Sequence, residues 1–232
     1  WSSDVCSSDL FVAAAGVPFD WGVVEVSSFQ LESVEAFRPA VAALLNITED
    51  HSDRYAGFAD YAAAKMAIFR NQGPGDVAVV NADDPEVASR TAGLRARLVP
   101  FSSSRRLPRG AFLEGEDMVL LVEAGPERYP RGALRIRGLQ NAQNALAAIA
   151  VARAMGVSRE HVLAELAEFP GLPHRVEFVG SVRGVTYVND SKGTNVGAVL
   201  AALSGFPEPV VLIAGGKDKG VDFRSEEHTS EL

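Results

Sequence analysis

DVAVVNADDPEVASRTAGLRARLVPF, residues 76–101, decides how the chain folds. It is strand-like over DVAVVNA, helix-like over DPEVASRTAG and strand-like again over ARLVPF. The same alternation continues outward in both directions. Upstream lie strand-like GVVEV (22–26) and AVAALLNI (40–47) and helix-like FADYAAAKMAIFRNQ (58–72). Downstream the strand-like segments are DMVLLVEA (117–124), ALRIRG (133–138), VEFVGSV (176–182), GVTYVND (184–190) and PVVLIAGG (209–216). The helix-like ones are NAQNALAAIAVARAMG (141–156), SREHVLAELAEF (158–169) and NVGAVLAALSGF (195–206). Such alternation predicts an α/β fold with a mostly parallel sheet flanked by helices. Residues 110–138 break the rhythm with short pieces joined by Gly and Pro, and predict an antiparallel patch appended to the sheet.

GLPHRVE, residues 171–177, follows a helix, carries Gly and Pro, and is the best domain boundary. The stretch after it, 185–216, reads as one βαβ crossover, too short to bury a core alone. WSSDVCSSDL (1–10) and RSEEHTSEL (224–232) are Ser-rich without periodicity and resemble translated sequencing-adapter sequence. They are set aside from fold reasoning. The expected organisation is a central domain over 11–172 and the start of a second over 173–223. The sole cysteine, Cys6, lies in the first of these end segments, so the rest has no thiol chemistry.

The chain has 232 residues, 47% of them hydrophobic and 22% charged, as a soluble globular protein of one or two domains would. No apolar run is long enough to span a bilayer, and no secretory pattern is present. The formal charge of −8 argues against nucleic-acid binding through a basic face.

Ligands of parallel α/β sheets gather at the carboxyl ends of the strands, and polar residues cluster there at five places. Glu25 interrupts Val23, Val24 and Val26, where a carboxylate is costly unless something positive or a donor meets it. His51, in EDHSDRY (49–55), is either a loop histidine bonded to a neighbouring Asp or a metal ligand; its oxygen-rich surroundings favour Mg2+ or Mn2+ over Zn2+. Lys65, in YAAAKMAIF (61–69), either snorkels from an apolar helix to water or sits in a low-dielectric site. There its amine becomes a nucleophile able to capture carbon dioxide as a carbamate. Asn141 and Asn144 either include an N-cap or read a nucleobase edge. His174 and Arg175 occupy the boundary as a hinge and a surface Arg. Lys192 and Thr194 sit in a strand-to-helix turn, a ready anion site, unless Thr194 or Asn195 simply caps the helix. Lys217 and Lys219 add positive charge at another strand end.

Taken in order, EVSSFQLE, LNITEDHSDRY, YAAAKMAIF, VVNADD, NAQNALAA, GLPHRVE, NDSKGTN and GGKDKGVDF resemble the Mur ligase family, over residues 22–223. EVSSFQLE and NDSKGTN resemble its D-glutamate-adding branch. The resemblance implies a cytoplasmic three-domain enzyme, monomeric when complete. This chain would hold most of the ATP-binding central domain, of P-loop type, and the opening of a Rossmann-like carboxy-terminal domain. It implies ATP-dependent joining of D-glutamate to UDP-N-acetylmuramoyl-L-alanine through an acyl phosphate, in peptidoglycan precursor synthesis. By motif position, Glu25, His51 and a carbamylated Lys65 would hold Mg2+. Asn141 and Asn144 would lie by the adenine or substrate edge, and His174, Arg175 and Asp190 would contact nucleotide. Lys192, Thr194 and Lys219 would face the D-glutamate carboxylates or the transferring phosphate. The family's phosphate loop, G-x-x-G-K-[ST], does not occur in the chain and is expected upstream, so the chain alone is expected not to catalyse ligation. Two other readings stand beside this one. One is a Mur-type or folylpolyglutamate-type ligase for another amino acid; the other is a non-catalytic nucleotide-binding remnant.

Overall fold

The computed structural model describes residues 20–48, 54–136, 138–194, 196–203, 205–206 and 208–215. His51, Lys217, Lys219 and both Ser-rich ends lie outside the described residues.

The quoted stretch folds as expected. Strand β2 (Val77–Asn81) leads into helix α3 (Pro85–Thr91) and returns as strand β3 (Arg97–Ser102), parallel to β2. Strand β1 (Val41–Leu44) pairs parallel to β2 on its other side. Before β1 comes a short helix, α1 (Ser28–Glu32); after it comes α2 (Phe58–Met66), prolonged by a 3-10 turn over Ala67–Phe69. Strands β4 (Gly110–Glu114), β5 (Asp117–Val122) and β6 (Gly125–Pro130) complete a six-stranded sheet in sequential order. β4 joins β3 in parallel, and β4, β5 and β6 are antiparallel, the patch expected of this region. Gly110, the first residue of β4, lets the chain come in close beside β3. Its φ is 84°, and a side-chain carbon there would collide with the Pro100 carbonyl oxygen.

β2 shows why the sequence must be layered on both sides. Val77 and Val79 pack with Phe101, Met118, Leu120 and Tyr129 against helix α4 (Leu139–Ala154), through Ala145, Leu146 and Ile149, and against Val162 of α5 (Arg159–Glu168). Ala78 and Val80 point to the opposite face, where Ala42, Leu44, Tyr61, Ala62, Phe69 and Val87 form a second core with α2 and α3. Period-two alternation along the apolar run 77–80 gives each core its own residues.

Beyond α5, strands β7 (Glu177–Val182) and β8 (Val185–Asn189) form an antiparallel hairpin, followed by helix α6 (Val196–Leu203). Arg183 and Gly184 at its tip both have positive φ, 52° and 81°, as a two-residue turn between right-twisted strands requires.

Three expectations need correction. GVVEV is not a strand: residues 21–27 have no ladder partner among the described residues, Val23 is 86% exposed, and Glu25 is exposed. β1 is the outermost strand, and the segment instead sends Val26 down onto Leu31, Val34 and Ala67. ALRIRG is not a strand but a 3-10 turn at Arg131–Ala133 followed by irregular chain. The crossover expected over 185–216 is not formed among the described residues: β8 pairs antiparallel with β7, and residues 209–215 carry no strand. Val211 and Ile213 are accordingly 91% exposed. An apolar run becomes a strand only beside another edge.

Candidate active site

At the carboxyl edge of the parallel strands, the tip NADD between β2 and α3 organises its neighbours. The Asn81 side-chain amide donates to the Leu45 carbonyl at 2.9 Å, just past β1. The Asp84 carboxylate accepts from the Val87 N–H at 2.9 Å, capping α3 with Pro85 in the first helical position. Its other oxygen accepts from the Ile47 N–H at 3.1 Å, gripping the chain as it leaves for residues 49–53. Asp83 turns the other way. Its carboxylate accepts from the Ser102 and Ser104 hydroxyls at 2.6 Å each and from the Ser103 and Ser104 N–H groups at 2.7 and 3.1 Å. Burial works to raise the Asp83 pKa, but these hydrogen bonds outweigh it, and the carboxyl is held below its usual range. Sequence reading places NADD at a polar strand end, in the VVNADD motif, and starts a helix at its Asp-Pro pair, but gives none of these residues a role of its own.

The flanks of the three expected metal ligands converge. The Ser27 side chain caps α1 in a reciprocal box with Gln30, an S-x-x-Q signal that sequence reading passed over. Phe29 of α1 stacks on Tyr55 with centroids 6.2 Å apart, and Tyr55 meets Tyr61 of α2 at 5.3 Å. Arg54 lies 4.8 Å over the Phe29 ring and pairs with Glu32 at 2.7 Å, holding the Glu32 carboxyl below its ordinary range. So the residues just after His51 dock on the helix just after Glu25. Lys65 is half-buried, one helical turn from Tyr61, with Nζ 5.2 Å from that ring's centroid. Val26, next to Glu25, packs in the same small cluster as Ala67 and Ile68, just beyond Lys65. Among the described residues no group of three His, Cys, Asp or Glu side chains surrounds a common point. The exposed Glu25 carboxylate offers the oxygen donors that a hard cation such as Mg2+ takes.

Asn141 and Asn144 are the third and sixth residues of α4, and neither caps it; the N-cap is Gly138, at φ 97°. Asn141 is half-buried and Asn144 exposed. Between them, Gln143 donates to the Ser103 hydroxyl at 2.7 Å, which ties α4 to the Asp83 network.

The boundary loop and the NDSK turn are stitched together. Asp190 accepts from the Val176 N–H at 3.0 Å, and the Lys192 N–H donates to the His174 carbonyl at 3.1 Å. His174 Nδ1 faces the Asn189 amide at 2.8 Å, and the His174 N–H donates to Glu177 at 2.8 Å. His174 and Val176 both sit at positive φ, 64° and 48°, which is unusual for a β-branched residue and is held by these contacts. A side-chain carbon at Gly193 would meet Asp190 Oδ2 at 2.8 Å and the Asp190 carbonyl oxygen at 3.1 Å, so the Asp190 carboxylate would have to shift. His174, Arg175, Asp190 and Lys192 are thus brought to one loop cluster; Thr194 is exposed, two residues before α6.

A mostly parallel sheet between helices, with its polar groups at the carboxyl edge, is the ligand-binding arrangement of α/β enzymes. Within that class, residues 11–152 match the Mur ligase middle domain, and the chain belongs to the Mur ligase family. It is 50% identical over 208 residues to the UDP-N-acetylmuramoylalanine–D-glutamate ligase of Pelotomaculum thermopropionicum, covering 89% of this chain and 46% of that protein. It is 47% identical over 212 residues to the ligase of the same name from Geotalea uraniireducens, covering 91% and 47% respectively. The chain thus spans about half the length of these relatives. Among solved structures it is similar to MurF of Acinetobacter baumannii, with 26% identity, a TM-score of 0.56, and 72% of this chain and 37% of that chain covered. A pseudomurein peptide ligase type C from Methanothermus fervidus shares the fold, with a TM-score of 0.62 at 21% identity, over 79% of this chain and 44% of that one. No helix among the described residues is long and apolar enough to cross a membrane.

Proposed function

We propose that this chain is the central part of an ATP-dependent ligase that joins D-glutamate to UDP-N-acetylmuramoyl-L-alanine in peptidoglycan precursor synthesis. The observation that carries the reading is 45–50% identity, along about nine-tenths of the chain, to ligases named for that reaction. Residues 11–172 would form the ATP-binding domain and 173–223 the start of the domain that closes over it, in a cytoplasmic monomer. The reaction requires the γ-phosphoryl of ATP to pass to the alanyl carboxylate; the D-glutamate amine then attacks the acyl phosphate and phosphate leaves. Such chemistry is mostly positioning and charge neutralisation. Asn141 and Asn144 would meet the adenine edge, and His174, Arg175 and Asp190 the rest of the nucleotide. Lys192, Thr194 and Lys219 would face the carboxylates of D-glutamate or the moving phosphate. Glu25, His51 and a carbamylated Lys65 would hold Mg2+, which supplies charge neutralisation when bound. The convergence of α1, the chain at Arg54–Tyr55 and α2 supports that grouping.

The test completes the chain. Residues 11–223 replace the matching segment of the Pelotomaculum thermopropionicum ligase, and phosphate release from ATP is followed with UDP-N-acetylmuramoyl-L-alanine and each of several amino acids. Release that needs D-glutamate is expected. Release equal with L-glutamate or L-lysine, or none at all from a folded chimera, would refute the proposal.

A further inference from the structure

The geometry points to Asp83 as a positioning residue that, through Ser103 and Gln143, fixes the start of α4 and with it the presentation of Asn141 and Asn144. The inference rests on the reading of those two asparagines given above. Asp83 behaves as an anion already bound in a serine turn. Besides its four bonds to Ser102, Ser103 and Ser104, it faces the Ser103 hydroxyl at 3.2 Å. With both oxygens so occupied, it is a poor candidate to bind a ligand itself. A serine hydroxyl has one proton and two lone pairs. Giving that proton to Asp83 leaves the Ser103 oxygen free to accept from the Gln143 amide, at 2.7 Å. The relay therefore has a direction, from helix to hydroxyl to carboxylate.

Gln143 is well placed to set the helix. α4 starts at Gly138, which offers no side-chain cap. One face of the first turns, at Ala142, Ala145 and Leu146, is buried against the sheet. Leu146 seats the second turn in the core, but on that face the first turn carries only the small Ala142, so a side-chain tie there adds to the hold on its rotation. A residue turns about 100° from its neighbour in an α-helix. Anchoring Gln143 therefore fixes the azimuth of Asn141 and Asn144 on either side of it. The carboxylate that anchors it belongs to the same tip that grips Leu45 and Ile47, so α4 is referenced to the edge of the sheet where ligands gather.

Two measurements test this. In the chimera described above, Ser103→Ala and Gln143→Met should each raise the KM for ATP about five- to tenfold, the size expected for one lost hydrogen bond. The kcat should stay within about twofold, and Ser103→Thr, which keeps the hydroxyl, should restore the KM. In the chain itself, Ser103→Ala should speed amide exchange at residues 141–145 by about tenfold while the melting temperature changes little. If Asn144→Ala raises the ATP KM but Ser103→Ala and Gln143→Met do not, the positioning role is overturned. An Asn144→Ala enzyme with unchanged ATP KM would instead sink the reading of the asparagines. The clamp then stands or falls on exchange at 141–145, and unchanged exchange in Ser103→Ala would sink it as well.

Discussion

Leu146→Ala is the sharpest test of how this fold is held, because Leu146 is fully buried where α4 meets the sheet, among Val77, Val79, Phe101 and Met118. The substitution removes three carbons. At about 0.8 kcal/mol for each, lost burial costs about 2.4 kcal/mol. Both flanking layers are close-packed, so the site cannot collapse fully. A residual cavity of about 50–70 Å³, at about 24 cal/mol per Å³, adds about 1.2–1.7 kcal/mol. The expected destabilisation is thus about 3.5–4 kcal/mol. With a urea m-value of about 2 kcal/mol/M, the unfolding midpoint should fall by about 1.5–2 M without a change in slope. Leu139→Ala is the control. It lies on the same helix but is 49% exposed, and should cost below about 1 kcal/mol. The two variants are compared by urea unfolding followed by circular dichroism. Midpoints within about 0.5 M of each other would refute the packing of α4 described here.

Other outcomes follow from single contacts. Glu127 pairs with Arg153 through both oxygens, at 2.6 and 2.8 Å, and accepts from the Tyr129 hydroxyl at 2.7 Å, so Glu127→Gln should cost about 2–3 kcal/mol in chemical denaturation. The Arg153 guanidinium holds the Glu127 carboxyl below its usual value of 4.5 despite its burial. Its stabilisation is therefore complete above that value and lost as the pH falls through the lower folded one, and the Gln variant should lack this limb of the acid-unfolding curve. Gly110→Ala should destabilise by more than about 2 kcal/mol, by calorimetry, through collision with the Pro100 carbonyl and strain at φ 84°. Asp84→Ala removes the α3 cap and the grip on Ile47, and should cost about 1–2 kcal/mol, with faster amide exchange at Ile47 and Val87.

Sequence alone determined the α/β class, because β2 is apolar from Val77 to Val80 and the segments beside it carry helical chemistry. It also marked the antiparallel region after residue 110 and the motifs that resemble the Mur ligases, since a motif is carried by residue order. Tertiary structure decided which apolar runs became strands. GVVEV and PVVLIAGG have the same local character as DVAVV, but a strand exists only where another edge completes its hydrogen bonds, and that edge can lie far away in sequence. The same holds for the NADD tip. Nothing local to Asp83 says that its partners are three serines nineteen to twenty-one residues on, or that Ser103 hands the contact to Gln143 forty residues further. Those pairings come from the parallel register of β2 and β3 and from the helix packed across them, and register is a property of the assembled sheet.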